Sequence, residues 1–156
     1  MAMNTKKEYK LNYLTAKFYQ KYNSTDYPEI ENKDYRPYIV MLVKIEDNTF
    51  AIPFRTNVRH NNCYKFKNST RQTDSITGLD YTKAVIVNDS TYIGLEARIN
   101  DREYTELNDS YGFILSQFRS YVRGYIEFKN GKTSHYNIRR YRYTTLQYFH
   151  KELGIK

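Results

Sequence analysis

The stretch from Tyr38 to Asn62, YIVMLVKIEDNTFAIPFRTNVRHNN, constrains the fold most. Tyr38 to Ile45 is almost unbroken apolar and rich in β-branched residues, which at this length reads as a buried strand. Glu46, Asp47 and Asn48 supply turn chemistry. Thr49 to Phe54 then returns as the second strand of a hairpin, with Pro53 marking where its ladder hydrogen bonds give out. Immediately beyond stand Arg55, Thr56, Asn57, Arg59, His60 and Asn62. Two guanidiniums, a hydroxyl and an imidazole at the exit of a rigid hairpin are suited to binding and cutting a phosphodiester. The same residues also read as an ordinary polar loop after a strand.

The chain has the length of one domain, 1–156, and it is basic, with net charge +8 and a pI of about 9.4. Such a balance points to a polyanionic partner. Its 18 tyrosines and absent tryptophan make the aromatic surface the informative feature, because tyrosine packs by its ring and still offers a hydroxyl. Charge interleaved with aromatics suits exposed single strands, whose bases stack while their phosphates seek cations. Cys63 stands alone, so neither a disulfide framework nor a zinc pattern is present, and a reduced cytoplasmic setting is expected. The polar N-terminus resembles no signal peptide, and no apolar run reaches membrane-spanning length.

Taken in order, Tyr9 to Leu14 alternates as a strand, and Thr15 caps a predicted helix from Ala16 to about Tyr22. Lys17 and Lys21 lie four apart on that helix, and Lys17 is a candidate RNA contact. Pro37 biases Arg36 toward an extended backbone, so Arg36 enters the first hairpin strand where Arg55 and Thr56 leave the second, and the three are expected to converge. Cys63 to Arg71 reads as a short strand or extended loop on a basic face, with Lys65 as a candidate contact. Lys83 to Val87 and Thr91 to Leu95 are expected to pair as a second hairpin through Asn88-Asp89-Ser90. Asn100 with Glu103 forms a capping-box pattern for a short helix to about Leu107, and Asn108-Asp109-Ser110 is expected to start a new, longer one. Apolar residues from Tyr111 to Ile126 recur at three and four, the stripe of an amphipathic helix on a sheet. Gly131 to Tyr143, GKTSHYNIRRYRY, is the most basic and aromatic tract, with Arg139, Arg140 and Arg142 offered for phosphates; a solvated charge run is the plain alternative. Thr144 with Gln147 is expected to cap a last helix ended by Gly154. The outline is an α+β domain, an antiparallel sheet followed by a helical C-terminal half.

Several chemistries are set aside. No glycine-rich phosphate loop occurs, and His60, His135 and His150 have no metal-ligand spacing. Acidic residues do not cluster as two-metal phosphoryl transfer requires. No cofactor or metal is therefore expected, and RNA becomes the natural substrate for cleavage, since its own 2′-hydroxyl can attack the adjacent phosphorus. The protein need only hold the strand in line, stabilise the phosphorane and move two protons.

FAIPFRTNVRHNN, followed by GLDYTKAVIV and preceded by a basic residue at the mouth of the YIVMLV strand, resembles the endoribonuclease toxins of type III toxin-antitoxin systems, the ToxN and AbiQ group, nearest the CptN and TenpN branches. The similarity extends over nearly the whole chain on short motifs. It implies a twisted antiparallel sheet related to the Kid and MazF toxins with added helices. It also implies metal-independent RNA cleavage to 2′,3′-cyclic phosphate and 5′-hydroxyl ends. The expected partners are cellular RNA and a small repeat-derived antitoxin RNA, often a pseudoknot, which the toxin processes and with which it builds closed RNA-bridged assemblies.

By the same resemblance, Thr56 falls on an active-site hydroxyl position. Arg55 stands where the ToxN branch has threonine, and Arg36 where it has lysine. Lys83 matches a family lysine of structural or RNA-contacting role. Arginine is a poor base at neutral pH, so Arg36 and Arg55 are assigned the phosphorane charge and Thr56 the positioning of the phosphate. His60 is the residue best suited to move protons, with a packed or surface histidine as the alternative. Arg59 is offered to a flanking phosphate, and Tyr38 either stacks a base or fills the core. A non-catalytic RNA-binding module with the same basic aromatic face is the alternative function. A DNA regulator fits less well, because the longest helix turns its stripe to the core. A protein with an acidic partner would be distinguished from both by competition with RNA.

Overall fold

A computed structural model of the chain describes residues 9–30, 38–67 and 77–155. Arg36 lies outside them, as do residues 68–71 of the Cys63 to Arg71 tract, so the expected approach of Arg36 to Arg55 falls outside the described residues. The hairpin is present as β2 (Ile39–Ile45) and β3 (Asn48–Arg55), paired antiparallel from Val40 opposite Pro53 to Ile45 opposite Asn48. Glu46 at its tip takes φ 56°, the left-handed conformation that two-residue hairpin connections demand. Four successive residues of β2, Val40 to Val43, are buried. An unbroken apolar run satisfies that two-sided burial, as alternation would not.

On the outer side of β2 lies β1 (Tyr9–Leu14), and beyond it β7 (Ile93–Glu96). The other edge of β3 carries β5 (Gly78–Asp80) opposite its end and β6 (Val85–Ile86) opposite its start, with β4 (Cys63–Lys65) outside β5. All seven strands form one antiparallel sheet, in the order β4-β5-β3-β2-β1-β7, with β6 also on β3. The second hairpin expected between Lys83–Val87 and Thr91–Leu95 is not formed. β6 pairs β3 and β7 pairs β1, so the chain leaves one side of the central hairpin and returns on the other. Two adjacent strand-like runs carry no information about which edge each will find.

The β run expected from Lys83 is also shorter than it reads. Between β5 and β6 the chain makes a 3-10 turn, Tyr81–Lys83, capped by the Asp80 side chain, which accepts from Thr82 N at 3.0 Å. An aspartate two residues ahead of a backbone N–H competes with the ladder for that donor.

Thr15 caps α1 (Ala16–Lys21), its hydroxyl accepting from Phe18 N. Asn100 caps α2 (Asp101–Lys129), accepting from Glu103 N at 2.9 Å. The two helices expected here are one: Asn108-Asp109-Ser110 starts nothing, and α2 runs through it. Tertiary contacts override the local signal, since Tyr64 Oη donates to Glu106 Oε2 and lies 3.1 Å from Ser110 Oγ, and Tyr9 Oη donates to Asn108 Oδ1 at 2.5 Å. Ile114, Phe118, Tyr121, Val122 and Tyr125 are buried against the sheet as the stripe predicts, with Phe118 meeting Phe50 at 5.2 Å between ring centroids. α2 stops at Gly131, which takes φ 111°. Within the basic tract the chain forms a short helix, α3 (His135–Arg140). The last helix expected from Thr144 is a 3-10 turn, Thr145–Tyr148, followed by turns, because Thr145 Oγ1 is drawn to the carbonyl of Ala84. The molecule is α+β, and beyond β7 the described residues hold only helices, turns and connecting segments.

Candidate functional site

The end of β3 and the broken end of β5 meet. Phe54 pairs with Leu79 and Arg55 with Gly78, which sets Arg55 beside Asp80 as the chain turns into its 3-10 segment. Asp80 is buried, and its two oxygens are fully used. Oδ2 accepts from Arg55 Nη1 at 3.0 Å; Oδ1 accepts from His60 Nε2 at 3.1 Å, from Thr82 Oγ1 at 2.6 Å and from Thr82 N. Burial alone would push this carboxyl up, but the hydrogen bonds from His60 and Thr82 and the charge of Arg55 outweigh it and hold the group below the usual carboxylate range. Asp80 is thus an anchored anion that holds two partly exposed groups.

His60 is fixed at both ring nitrogens. The backbone N–H of Asn62 donates to Nδ1 at 3.1 Å, so Nδ1 is the acceptor and the ring proton sits on Nε2, facing Asp80. The Asn62 carbonyl in turn accepts from Tyr81 N at 3.1 Å, stitching the loop to the turn that Asp80 caps. Cys63 donates its thiol to the His60 carbonyl at 3.2 Å, and burial pushes that thiol up to about 11, so it remains a protonated packing residue.

Arg55 has its guanidinium 5.9 Å from the centre of the Tyr38 ring. With Lys83 it walls a small cavity of about 30 Å³, whose floor includes Phe18, Val40, Ala51 and Pro53. Lys83 donates from Nζ to the Glu29 carbonyl at 3.1 Å, so part of its role is to hold the 23–30 segment. Thr56 and Asn57 follow Arg55 at the surface, and Asn57 takes φ 59°, a conformation asparagine tolerates better than most residues. Val58 is buried and pins the loop, leaving Arg59 exposed.

Of the residues singled out from sequence, Arg55, His60, Lys83 and Tyr38 are gathered here, with Thr56 next to them in the chain. Lys17 is used elsewhere, donating to Thr91 Oγ1 at 2.8 Å and lying 3.7 Å from Asp89. Lys65 sits half-buried on β4 opposite Gly78. The C-terminal tract divides: Arg139 and Arg142 are exposed, Arg142 stacking on Tyr143 at 5.3 Å, while Arg140 folds back toward the site. Its Nε donates to Asn62 Oδ1 at 3.1 Å, and its guanidinium lies 5.1 to 5.8 Å from the rings of Tyr121, Tyr136 and Tyr141.

Asp80 and Thr82 are the members that sequence reasoning missed, while Asn62 stands in the sequence cluster without a role assigned to it. The signal for Asp80 was present: an acid between Leu79 and Tyr81 in a strand-like run is buried only if cations or donors meet it. Among the described residues no three His, Cys, Asp or Glu side chains are gathered as a metal ion would need, and no helix is long and apolar enough to cross a membrane. Comparison with known protein families, with curated proteins and with solved structures gives no match.

Proposed function

We propose that this chain is the toxin of a type III toxin-antitoxin system, a metal-independent endoribonuclease working at the end of β3. The observation that carries the reading is the anchoring of Arg55 and His60 on one buried carboxylate, Asp80, with Lys83 and Thr56 alongside. Arg55, joined by Arg36, stabilises the charge that grows on phosphorus, and the Thr56 hydroxyl positions a non-bridging oxygen. The 2′-oxygen loses its proton and bonds to phosphorus. The 5′-oxygen leaves and takes up a proton, giving a 2′,3′-cyclic phosphate and a 5′-hydroxyl. His60 serves these transfers with its ring oriented by Asp80 and Asn62. Arg59, Lys65 and the face of α3 carry the flanking strand.

The same proposal includes a sheet core of the Kid and MazF kind and a cytoplasmic setting. Its partners are a pseudoknotted antitoxin RNA that the toxin processes and RNA-bridged assembly of several copies. Incubation of the purified protein with cellular RNA in EDTA tests it. Discrete cuts with cyclic-phosphate and 5′-hydroxyl ends, lost in Arg55→Ala, support the reading, and intact RNA after denaturation, removal of bound RNA and refolding overturns it. A second reading, a non-catalytic RNA-binding module, is favoured by one observation: both ring nitrogens of His60 are occupied. Protein that retains RNA without cutting it would establish that reading.

A further inference from the structure

Arg140 connects the C-terminal basic tract to the imidazole of His60 through a single residue. Its Nε–H donates to Asn62 Oδ1, and the backbone N–H of the same Asn62 donates to His60 Nδ1. The far ring nitrogen donates to Asp80, which also takes Arg55. A continuous hydrogen-bonded path therefore runs from a guanidinium on α3 to the carboxylate at the centre of the site. Arg140 is held for this task by three aromatic rings, Tyr121 and Tyr141 from the core side and Tyr136 from the surface, the last 61% exposed.

The guanidinium has one further property. Its Nε is committed to Asn62, yet among the described residues no acceptor meets its two Nη groups. A planar cation pinned by stacking, with its fork unoccupied, accepts a phosphate end-on through Nη1 and Nη2 without releasing Asn62. Tyr136, beside it and exposed, offers a ring face for the adjoining base.

We propose that Arg140 is a positioning residue that couples a phosphate bound on α3 to the orientation and tautomer of His60. A strand that reaches α3 tightens the link from Arg140 through Asn62 to His60, and a strand too short to reach it leaves that link as it stands in the unliganded protein. The proposal rests on the ribonuclease reading for its catalytic consequence, but the coupling itself is a property of the unliganded protein and can be read without cleavage.

The experiment is long-range ¹H–¹⁵N NMR of the His60 ring in the full chain, alone and with a short all-2′-O-methyl oligoribonucleotide, which 2′-oxygen attack cannot cleave. The wild type is expected to show the Nε2–H tautomer and to shift its His60 signals when the oligonucleotide binds. Arg140→Ala is expected to lose that shift and to mix the tautomers. Asn62→Ala keeps the backbone amide and the Arg140 stacking but removes the Oδ1 link, and is expected to behave like Arg140→Ala at His60 while still binding the oligonucleotide. His60 signals that respond to the oligonucleotide equally in wild type and both folded variants would overturn the coupling. In cleavage, Arg140→Ala is expected to slow a long RNA at least tenfold and a dinucleotide, which feels only the mixed tautomers, by a smaller factor; equal losses on both would also overturn the coupling. A wild type that shows the NMR behaviour but cuts neither substrate removes the ribonuclease reading and leaves the coupling standing.

Discussion

Arg55 and Asp80 meet at 3.0 Å across the seam between β3 and β5, and the carboxylate in that pair is almost fully buried while the guanidinium keeps about a quarter of its surface. The pair is therefore asymmetric: Asp80 has no alternative partner in water, whereas Arg55 can reach a ligand without leaving its anchor.

Replacing Asp80 by asparagine removes the charge that both Arg55 and His60 face. The expected loss of stability is about 2 kcal/mol, less than for a fully buried pair because Arg55 is partly solvated. Asp80 titrates below its ordinary range, so its contribution is present at neutral pH and above the unfolded carboxylate pKa. It is lost as pH falls through the lower folded value. Thermal unfolding of wild type and Asp80→Asn should accordingly differ most near neutrality and converge in strong acid; a gap that widens on acidification would contradict the assignment.

His60→Gln separates holding Asp80 from moving a proton. Glutamine can still donate to the Asp80 carboxylate, so its melting temperature should fall less than that of His60→Ala. RNA cleavage should be lost in both if His60 transfers protons. Glutamine that restores cleavage as well would confine His60 to a structural part.

Thr56 is exposed and makes no contact that the core needs. Thr56→Ala is expected to leave unfolding within about 0.5 kcal/mol of wild type while abolishing growth inhibition in cells. A folded variant that still arrests growth would move the phosphate-positioning role elsewhere.

Gly124 lies in the middle of α2, where a β-carbon would come within 2.4 Å of Tyr141 Oη and 3.1 Å of Arg140 Nη1. Tyr141 donates from that hydroxyl to the Tyr121 carbonyl at 2.8 Å. Alanine gains about 1 kcal/mol of helix propensity at an exposed site, but here the clash should outweigh it, for a net loss of about 1–2 kcal/mol in urea unfolding. RNA affinity should fall with it, since the displaced ring carries Arg140.

Removing Arg139, Arg140 and Arg142 together should flatten the salt dependence of binding to single-stranded RNA by about 0.7 in log–log slope for each phosphate that is no longer neutralised. Titration at several salt concentrations measures this. An unchanged slope would mark the tract as solvated surface.

The central hairpin, the caps at Thr15 and Asn100, the α2 stripe and the basic character of the C-terminal tract are all set by neighbours within a turn or a strand pair, where period and capping chemistry act. The placement of Arg55 and His60 close together was equally legible, because few residues separate them. Which edge of the sheet β6 and β7 join, whether α2 continues past Ser110, and which acid receives Arg55 are decided by partners far along the chain. Tyr64 and Tyr9 hold α2 through a segment that local propensity would end. Asp80 becomes the centre of the site only because β5 lies against β3, and Arg140 reaches Asn62 only because α3 folds back on α2. A sequence reports the preferences of a segment for its own conformation; the pairing of segments is fixed by the burial and hydrogen bonding of the whole, and that is where this site is assembled.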